Sequence, residues 1–248
     1  MSAPASPSIT LPAVARDGRR ARPATARPGA TIAAALLGLL LAACAGTPPP
    51  DWQLDARASL DRAVAAQLSG DDRVAALDFD RARAALARTG RIDLVARAEL
   101  TRCAAALASL QFGRCAGFEP LRADAPAAEQ AYADFLQGPL GDPARIALLP
   151  AAQRAAASAG SGAAGEPALL RAITDPLSRL VAAAAWLRDG RASAEVMALA
   201  VDTASAQGWR RPLLAWLQAS RLLAERSGRA DEAARLQRRV ALVLGGPP

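Results

Sequence analysis

Residues 51–90 read DWQLDARASLDRAVAAQLSGDDRVAALDFDRARAALARTG, and this stretch decides the fold. Asp51 can N-cap a helix whose apolar residues recur at helical spacing until Gly70 ends it. The acidic pair Asp71-Asp72 follows directly and can cap a second helix, which ends at Gly90. Two helices joined by so short a turn must lie antiparallel as neighbours.

The same pattern of helix-starting and helix-ending residues continues through the rest of the chain. We expect a third helix over about 92–111, a fourth over 125–137, a weaker one over 143–159 that Pro150 breaks, and then helices over 167–188 (broken at Pro176), 191–207, 212–227 and 229–244. No stretch alternates with a period of two for more than a few residues. The sequence therefore predicts an all-α fold with no sheet.

Composition supports helix and excludes several kinds of chemistry. Alanine fills 67 of the 248 positions, and all 30 basic residues are arginine, with no lysine and no histidine. Histidine-activated nucleophiles, histidine-ligated metals, Schiff-base lysines and phosphate-loop lysines are therefore all absent. We expect no cofactor and no metal site.

The N-terminus has the features of an export signal. Residues 1–29 carry five arginines against one aspartate, and an apolar run of 14 residues, 30–43, follows before Cys44. A helix that crosses a bilayer needs about 20 apolar residues, so this run is too short to span.

The tetrad Leu41-Ala42-Ala43-Cys44 resembles the lipobox of bacterial lipoproteins. The resemblance implies that residues 1–43 are cleaved and that Cys44 is acylated. Ala45 follows the cysteine, where inner-membrane lipoproteins usually have aspartate, so the resemblance implies the outer membrane with the domain facing the periplasm. A plain signal peptide, or a buried helix with a chance cysteine, is the alternative.

Removing the leader changes the charge and defines the mature chain. The residues after 43 hold 25 arginines and 22 acidic residues, a formal net charge of +3 against +7 for the full chain. This modest excess argues against nucleic acid as a partner. The mature chain divides into a lipidated, proline-rich tether (44–50), an N-terminal helical half (51–160), a flexible loop (161–165) and C-terminal helical hairpins (166–248).

Some of the turns resemble the tetratricopeptide repeat, whose second helix reads Gly-x4-Ala-x3-aromatic-x2-Ala. All four positions are matched by Gly70, Ala75, Phe79 and Ala82. Gly228 and Ala233 match again near the C-terminus, while a copy that starts at Gly90 fails because Glu99 stands at the aromatic position. The resemblance implies antiparallel hairpins stacked as a tetratricopeptide-like α-α superhelix.

Two cysteines remain after Cys44, and an exported chain meets an oxidising compartment. Cys103 lies midway along the third helix and Cys115 just after its end, so they can meet if Gly113 lets the chain reverse. We predict a structural Cys103–Cys115 disulfide, with two separate buried thiols as the alternative. A catalytic redox role is disfavoured because the chain has no Cys-x-x-Cys motif.

The acidic residues give little sign of catalysis. Lytic transglycosylases share a catalytic glutamate followed by serine, and no glutamate here precedes a serine. Helix capping explains Asp71-Asp72, and the arginines that flank Asp78 and Asp80 suggest a solvated face of mixed charge. Neither pair is expected to be catalytic or to bind a metal.

These observations predict a non-enzymatic scaffold. We expect a periplasm-facing outer-membrane lipoprotein whose helical domain binds a protein or peptide of the cell envelope. The alternatives are an envelope enzyme that acts on peptidoglycan or another polymer, and a structural subunit of a secretion or pilus assembly. A concave groove with side chains of one character would favour binding, and a deep pocket with two converging carboxylates would favour the enzyme.

Overall fold

A computed structural model describes residues 49–158 and 167–245 of the chain. The leader, the Leu41–Cys44 tetrad, most of the tether and the predicted loop 161–165 lie outside the described residues. Within those two ranges the chain is helical and contains no strand, so the all-α prediction is confirmed there. The residues from Pro49 onward form one compact unit.

The described ranges contain eleven α-helices and one 3-10 helix. Their bounds are α1 Asp51–Ser69, α2 Asp72–Ala87, α3 Ile92–Ala108, the 3-10 helix Glu119–Asp124, α4 Ala127–Gln137, α5 Pro143–Ala147, α6 Ala151–Ser158, α7 Pro167–Ala172, α8 Pro176–Arg188, α9 Ala194–Ala206, α10 Arg210–Arg226 and α11 Ala230–Val243. Pro150 and Pro176 interrupt the helices where the sequence indicated. The 3-10 helix was not predicted.

Side-chain caps explain several helix starts. Asp71 accepts a hydrogen bond from the Val74 amide at 3.1 Å and begins α2, as predicted. Asp51 is not an N-cap, because Pro50 occupies that position and α1 has no side-chain cap bond. Asp51 lies in the first turn instead, where its negative charge still interacts favourably with the helix dipole.

The end of α3 differs from the sequence prediction. The helix stops at Ala108, and the chain reverses at Leu110, whose φ is +57°, whereas Gly113 has no positive φ. The Leu110 amide donates to Leu107 and the Gln111 amide donates to Ala106, which satisfies the last carbonyls of the helix. The half-buried Leu110 side chain packs on the core, which offsets the cost of the left-handed conformation.

Helix α8 lies at the centre of the molecule. Every residue from Leu180 to Trp186 is buried, and α8 packs against α3, α6 and α9. The run of four alanines, 182–185, lets those helices approach closely from several sides. The larger of two core clusters therefore contains residues of both halves that the sequence suggested, and Ala63, Phe79 and Ala98 form a second, smaller cluster.

Two buried tryptophans connect distant parts of the chain. The Trp186 ring nitrogen donates to the Ala156 carbonyl at 2.9 Å, which joins α8 to α6. The Trp216 ring nitrogen donates to the Ala108 carbonyl at 3.1 Å, which joins α10 to the end of α3. Pro212 lies in the first turn of α10, where proline is tolerated. None of the helices in the described ranges has the length and apolar character that a bilayer crossing requires.

Replacing Trp216 with phenylalanine should lower the free energy of unfolding by about 1–3 kcal/mol, because the buried Ala108 carbonyl loses its donor. Urea denaturation followed by circular dichroism measures this loss. Trp52→Phe is the matched control, since Trp52 is only half-buried and its ring makes no hydrogen bond among the described residues. An equal loss in both variants would contradict the assignment.

Candidate functional site

A groove of about 570 Å³ opens between the α1–α2 hairpin, α3 and the segment 111–117. Its volume falls within the range of ligand-binding clefts, about 300–1,000 Å³. Small and apolar side chains from the three helices line its interior, among them Ala63, Ala75, Phe79 and Ala106. We call it the disulfide groove, because Cys103 and Cys115 both line it.

The α1–α2 hairpin supplies one wall of the disulfide groove. Gly70 has a φ of +94° and allows the tight turn between the two helices. Phe79 and Ala82 are buried beneath this wall and Ala75 is half-buried at its surface. The residues that match the repeat pattern are therefore brought together here. Gly228 and Ala233 lie far along the chain, at the turn between α10 and α11.

A disulfide braces the opposite wall. Cys103 in α3 is bonded to Cys115, with Cα atoms 5.5 Å apart, as the sequence predicted. Cys115 is buried and Cys103 half-buried. The bond holds the segment beyond Leu110 against α3.

Gly117 completes this wall through its lack of a side chain. A Cβ atom at Gly117 would lie 2.0 Å from the Glu99 Oε2 atom, far inside van der Waals contact. The Glu99 side chain therefore occupies the space that any other residue at position 117 would need. Its carboxylate is 5% exposed and accepts a hydrogen bond from Arg83 Nε at 2.9 Å.

Two carboxylates line the disulfide groove among the described residues, and each is already ion-paired. Glu99 is held by Arg83 from outside the groove. Asp72 lies at the rim and accepts from Arg211 Nη2 of α10 at 2.5 Å. Two carboxylates fixed in this way do not form the free, converging pair that acid–base hydrolysis of a polymer needs.

The arginines that line the disulfide groove form fewer ion pairs than its carboxylates do. The Arg102 guanidinium lies 4.9 Å from the centre of the Phe79 ring, a cation–π contact, and no described carboxylate lies within 4 Å of it. Arg114 is 81% exposed, and its one carboxylate neighbour is Glu119 at 3.9 Å. The groove therefore presents positive charge beside an aromatic ring.

Buried carboxylates recur on successive helices. Asp78 of α2 accepts from Arg62 of α1 at 3.2 and 3.3 Å, and Glu129 of α4 accepts from Arg97 of α3 at 2.6 Å. With the Arg83–Glu99 pair, each acid is met by an arginine of the preceding α-helix. The hydrogen bond from Arg62 holds the pKa of Asp78 below its ordinary value, against the opposing effect of desolvation.

The burial of Asp78 corrects the sequence expectation. Asp78 is 5% exposed rather than part of a solvated face, whereas Asp80 is exposed as expected. Asp78 accepts from Arg62, 16 residues earlier on another helix, and from Arg81 of its own helix, each at 3.2 Å. Within the described ranges, no three side chains of the types that ligate metals come together.

In a second cluster of charged residues, the arginines and carboxylates pair with one another. Arg122 donates to Glu119 at 2.9 and 3.0 Å and to Asp134 at 2.9 Å, and Asp134 also meets Arg145. The bond from Arg122 lowers the pKa of Glu119. These contacts fasten the 3-10 helix to α4.

Sequence reasoning missed Arg102, Arg114 and Gly117 as members of a site. The sequence contained one indication of this site, because Glu99 occupies a position where the repeat pattern has an aromatic residue. Comparison with protein families, with curated proteins and with solved structures finds no match for this chain.

Replacing both Cys103 and Cys115 with alanine should lower the free energy of unfolding by about 2–4 kcal/mol, because the crosslink no longer restricts the unfolded chain. Urea denaturation with and without reductant measures the effect. Reductant should lower the stability of the wild-type protein by a similar amount and leave the variant unchanged. Two free thiols in wild-type protein taken from an oxidising compartment, detected by non-reducing mass spectrometry, would contradict the pairing.

Proposed function

We propose that this chain is a lipid-anchored, periplasm-facing protein of the outer membrane, without enzymatic activity, whose disulfide groove binds an acidic segment of an envelope protein or peptide. The observation that carries the proposal is the charge of the groove. Among the described residues Arg102 makes no ion pair and Arg114 only a 3.9 Å contact with Glu119, so both can bind carboxylates, while both acids of the groove are engaged.

The chemistry of arginine supports an acidic ligand. A guanidinium group can donate two parallel hydrogen bonds to one carboxylate, and the exposed aromatic-stacked plane of Arg102 needs little reordering to do so. The apolar lining of the groove can receive the side chains that flank the acid. Positive charge at the rim also speeds the encounter with an acidic partner.

The anchor part of the proposal depends on the sequence. Cys44, preceded by Leu41, Ala42 and Ala43, would carry the acyl chains, and residues 45–50 would tether the domain within about 20 Å of the bilayer. Each buried CH₂ group of an acyl chain contributes about 0.8 kcal/mol to membrane binding, so several chains hold the protein stably.

The tetratricopeptide-like superhelix is also part of the proposal. The α1–α2 hairpin supports it, with Gly70 at the turn and Phe79 and Ala82 buried between the paired helices. The α10–α11 pair is a second hairpin, with Gly228 at its turn. Between them, α3 packs most extensively against α8 instead of the helices next to it in the chain, so the stack would be interrupted in its middle.

Replacing Cys44 with alanine should abolish acylation and release the protein from the membrane fraction, since the covalent anchor lies outside the helical unit. Fractionation of envelopes and metabolic labelling with a fatty acid measure the two effects. The Cys103→Ala/Cys115→Ala variant is the control and should remain attached to the membrane. A Cys44→Ala protein that is processed to the same size and still pellets with membranes would contradict the anchor.

A photo-crosslinking amino acid at Gln111, which lines the groove, should capture a discrete partner in intact envelopes. The same amino acid at Gln218, an exposed residue of α10 outside the groove, is the control. Arg102→Glu with Arg114→Glu should abolish the adduct, whereas Arg73→Glu, at an exposed arginine of α2 that does not line the groove, should preserve it.

Two results would contradict the groove as the binding site: an identical adduct from Gln218, and an adduct that survives both charge reversals. Hydrolysis of peptidoglycan by the purified protein would contradict the proposed absence of enzymatic activity. Mass spectrometry of the captured adduct identifies the partner and its acidic segment.

A further inference from the structure

Helix α11 carries a row of basic residues on its exposed side. Arg235, Arg238, Arg239 and Leu242 are spaced by three, one and three residues, which places them along one side of the helix. The opposite side is buried against the rest of the unit through Ala233 and Val240. We call these four outward residues the α11 stripe.

The three arginines of the α11 stripe have no ion-pair or hydrogen-bond partner among the described residues. No described carboxylate lies within 4 Å of their guanidinium groups, and their side chains make no hydrogen bond in the described part of the chain. Of the neighbouring acids, Glu232 is paired with Arg229 and Glu225 with Arg221, whereas Asp231, four residues before Arg235, makes no ion pair among the described residues.

Two exposed leucines lie at the C-terminal end of the helix, Leu242 within the stripe and Leu244 at the C-cap, on a different side. Leu242 is 62% exposed and Leu244 is 56% exposed, the two highest values among the large apolar residues that the structure describes. Both leucines lie at the same end of α11, beyond the arginines. Apolar side chains next to unpaired positive charge are typical of helices that lie in a membrane interface.

The helix itself does not account for these arginines. Cations stabilise a helix when they lie in its last turn, and the last turn of α11 contains no basic residue. Solubility does not account for the leucines, since exposed apolar surface lowers solubility.

We propose that the α11 stripe binds the surface of an anionic phospholipid bilayer. The guanidinium groups bind the phosphate oxygens of the headgroups, and Leu242 and Leu244 insert at the boundary with the acyl chains. This contact is separate from the disulfide groove and does not depend on acylation of Cys44. In an anchored protein it fixes one orientation of the domain on the membrane.

The test uses residues 49–248, which form a compact unit with its own core and lack Cys44. Sedimentation with vesicles of equal parts phosphatidylglycerol and phosphatidylcholine measures binding, and vesicles of phosphatidylcholine alone are compared. The protein should bind the anionic vesicles, much less the neutral ones, and more weakly as salt is raised.

The variant with Arg235→Gln, Arg238→Gln and Arg239→Gln should lose binding by roughly 100-fold, since each arginine near an anionic surface contributes about fivefold. Its matched control carries Arg73→Gln, Arg88→Gln and Arg154→Gln. These three arginines are also exposed and make no ion pair among the described residues, so the control changes the net charge equally. Circular dichroism of both variants checks that they fold.

Leu242→Ser with Leu244→Ser keeps every charge and should lower affinity for anionic vesicles several-fold by removing the apolar contact. The proposal is overturned if the wild-type unit does not bind anionic vesicles or binds neutral vesicles equally well. It is also overturned if the three control substitutions weaken vesicle binding as much as the three stripe substitutions do. Binding to polyglutamate or single-stranded DNA without binding to vesicles would also overturn it.

Discussion

Three carboxylates, Asp78, Glu99 and Glu129, are buried in the first half of the fold, and each is neutralised by an arginine of the α-helix before it. An unpaired charge in such a position would cost several kcal/mol, so the pairs constrain how α1 to α4 pack. Sliding one helix along its neighbour by one turn, about 5.4 Å, would break an arginine–carboxylate pair and leave a buried charge without its partner. The disulfide groove depends on this register, because one of its walls contains Glu99.

The second constraint is the close approach of helices around α8. Its alanines let neighbouring backbones come near, and the few large side chains then fill the remaining space. Trp186 and Trp216 each combine burial with one hydrogen bond to a carbonyl at or near the end of another helix. A chain with few aromatic residues thus places two of its four tryptophans where they join segments far apart in sequence.

The local structure could be predicted from the sequence, and the long-range structure could not. Asp71 and Gly70 act within a few residues, so their roles as cap and turn follow from spacing alone. The sequence predicts a chain reversal at Gly113, but the reversal occurs at Leu110. Spacing alone does not reveal that packing of a leucine on the core can offset the free-energy cost of a left-handed backbone conformation. Arg62 reaches Asp78 from another helix, and the groove draws residues from four helices and a loop, so neither was visible before the helices were packed.

Because the Cys103–Cys115 bond braces one wall of the groove, the shape of the groove depends on the redox state of the compartment that contains the chain. In the reducing compartment where proteins are synthesised, both thiols stay free and the segment around Gly113 and Arg114 lacks its covalent hold on α3. Before the bond forms, this wall of the groove is therefore held by non-covalent contacts alone. If the chain is exported as proposed, oxidation after transport would complete the groove, and transport itself would time the maturation of the proposed binding surface.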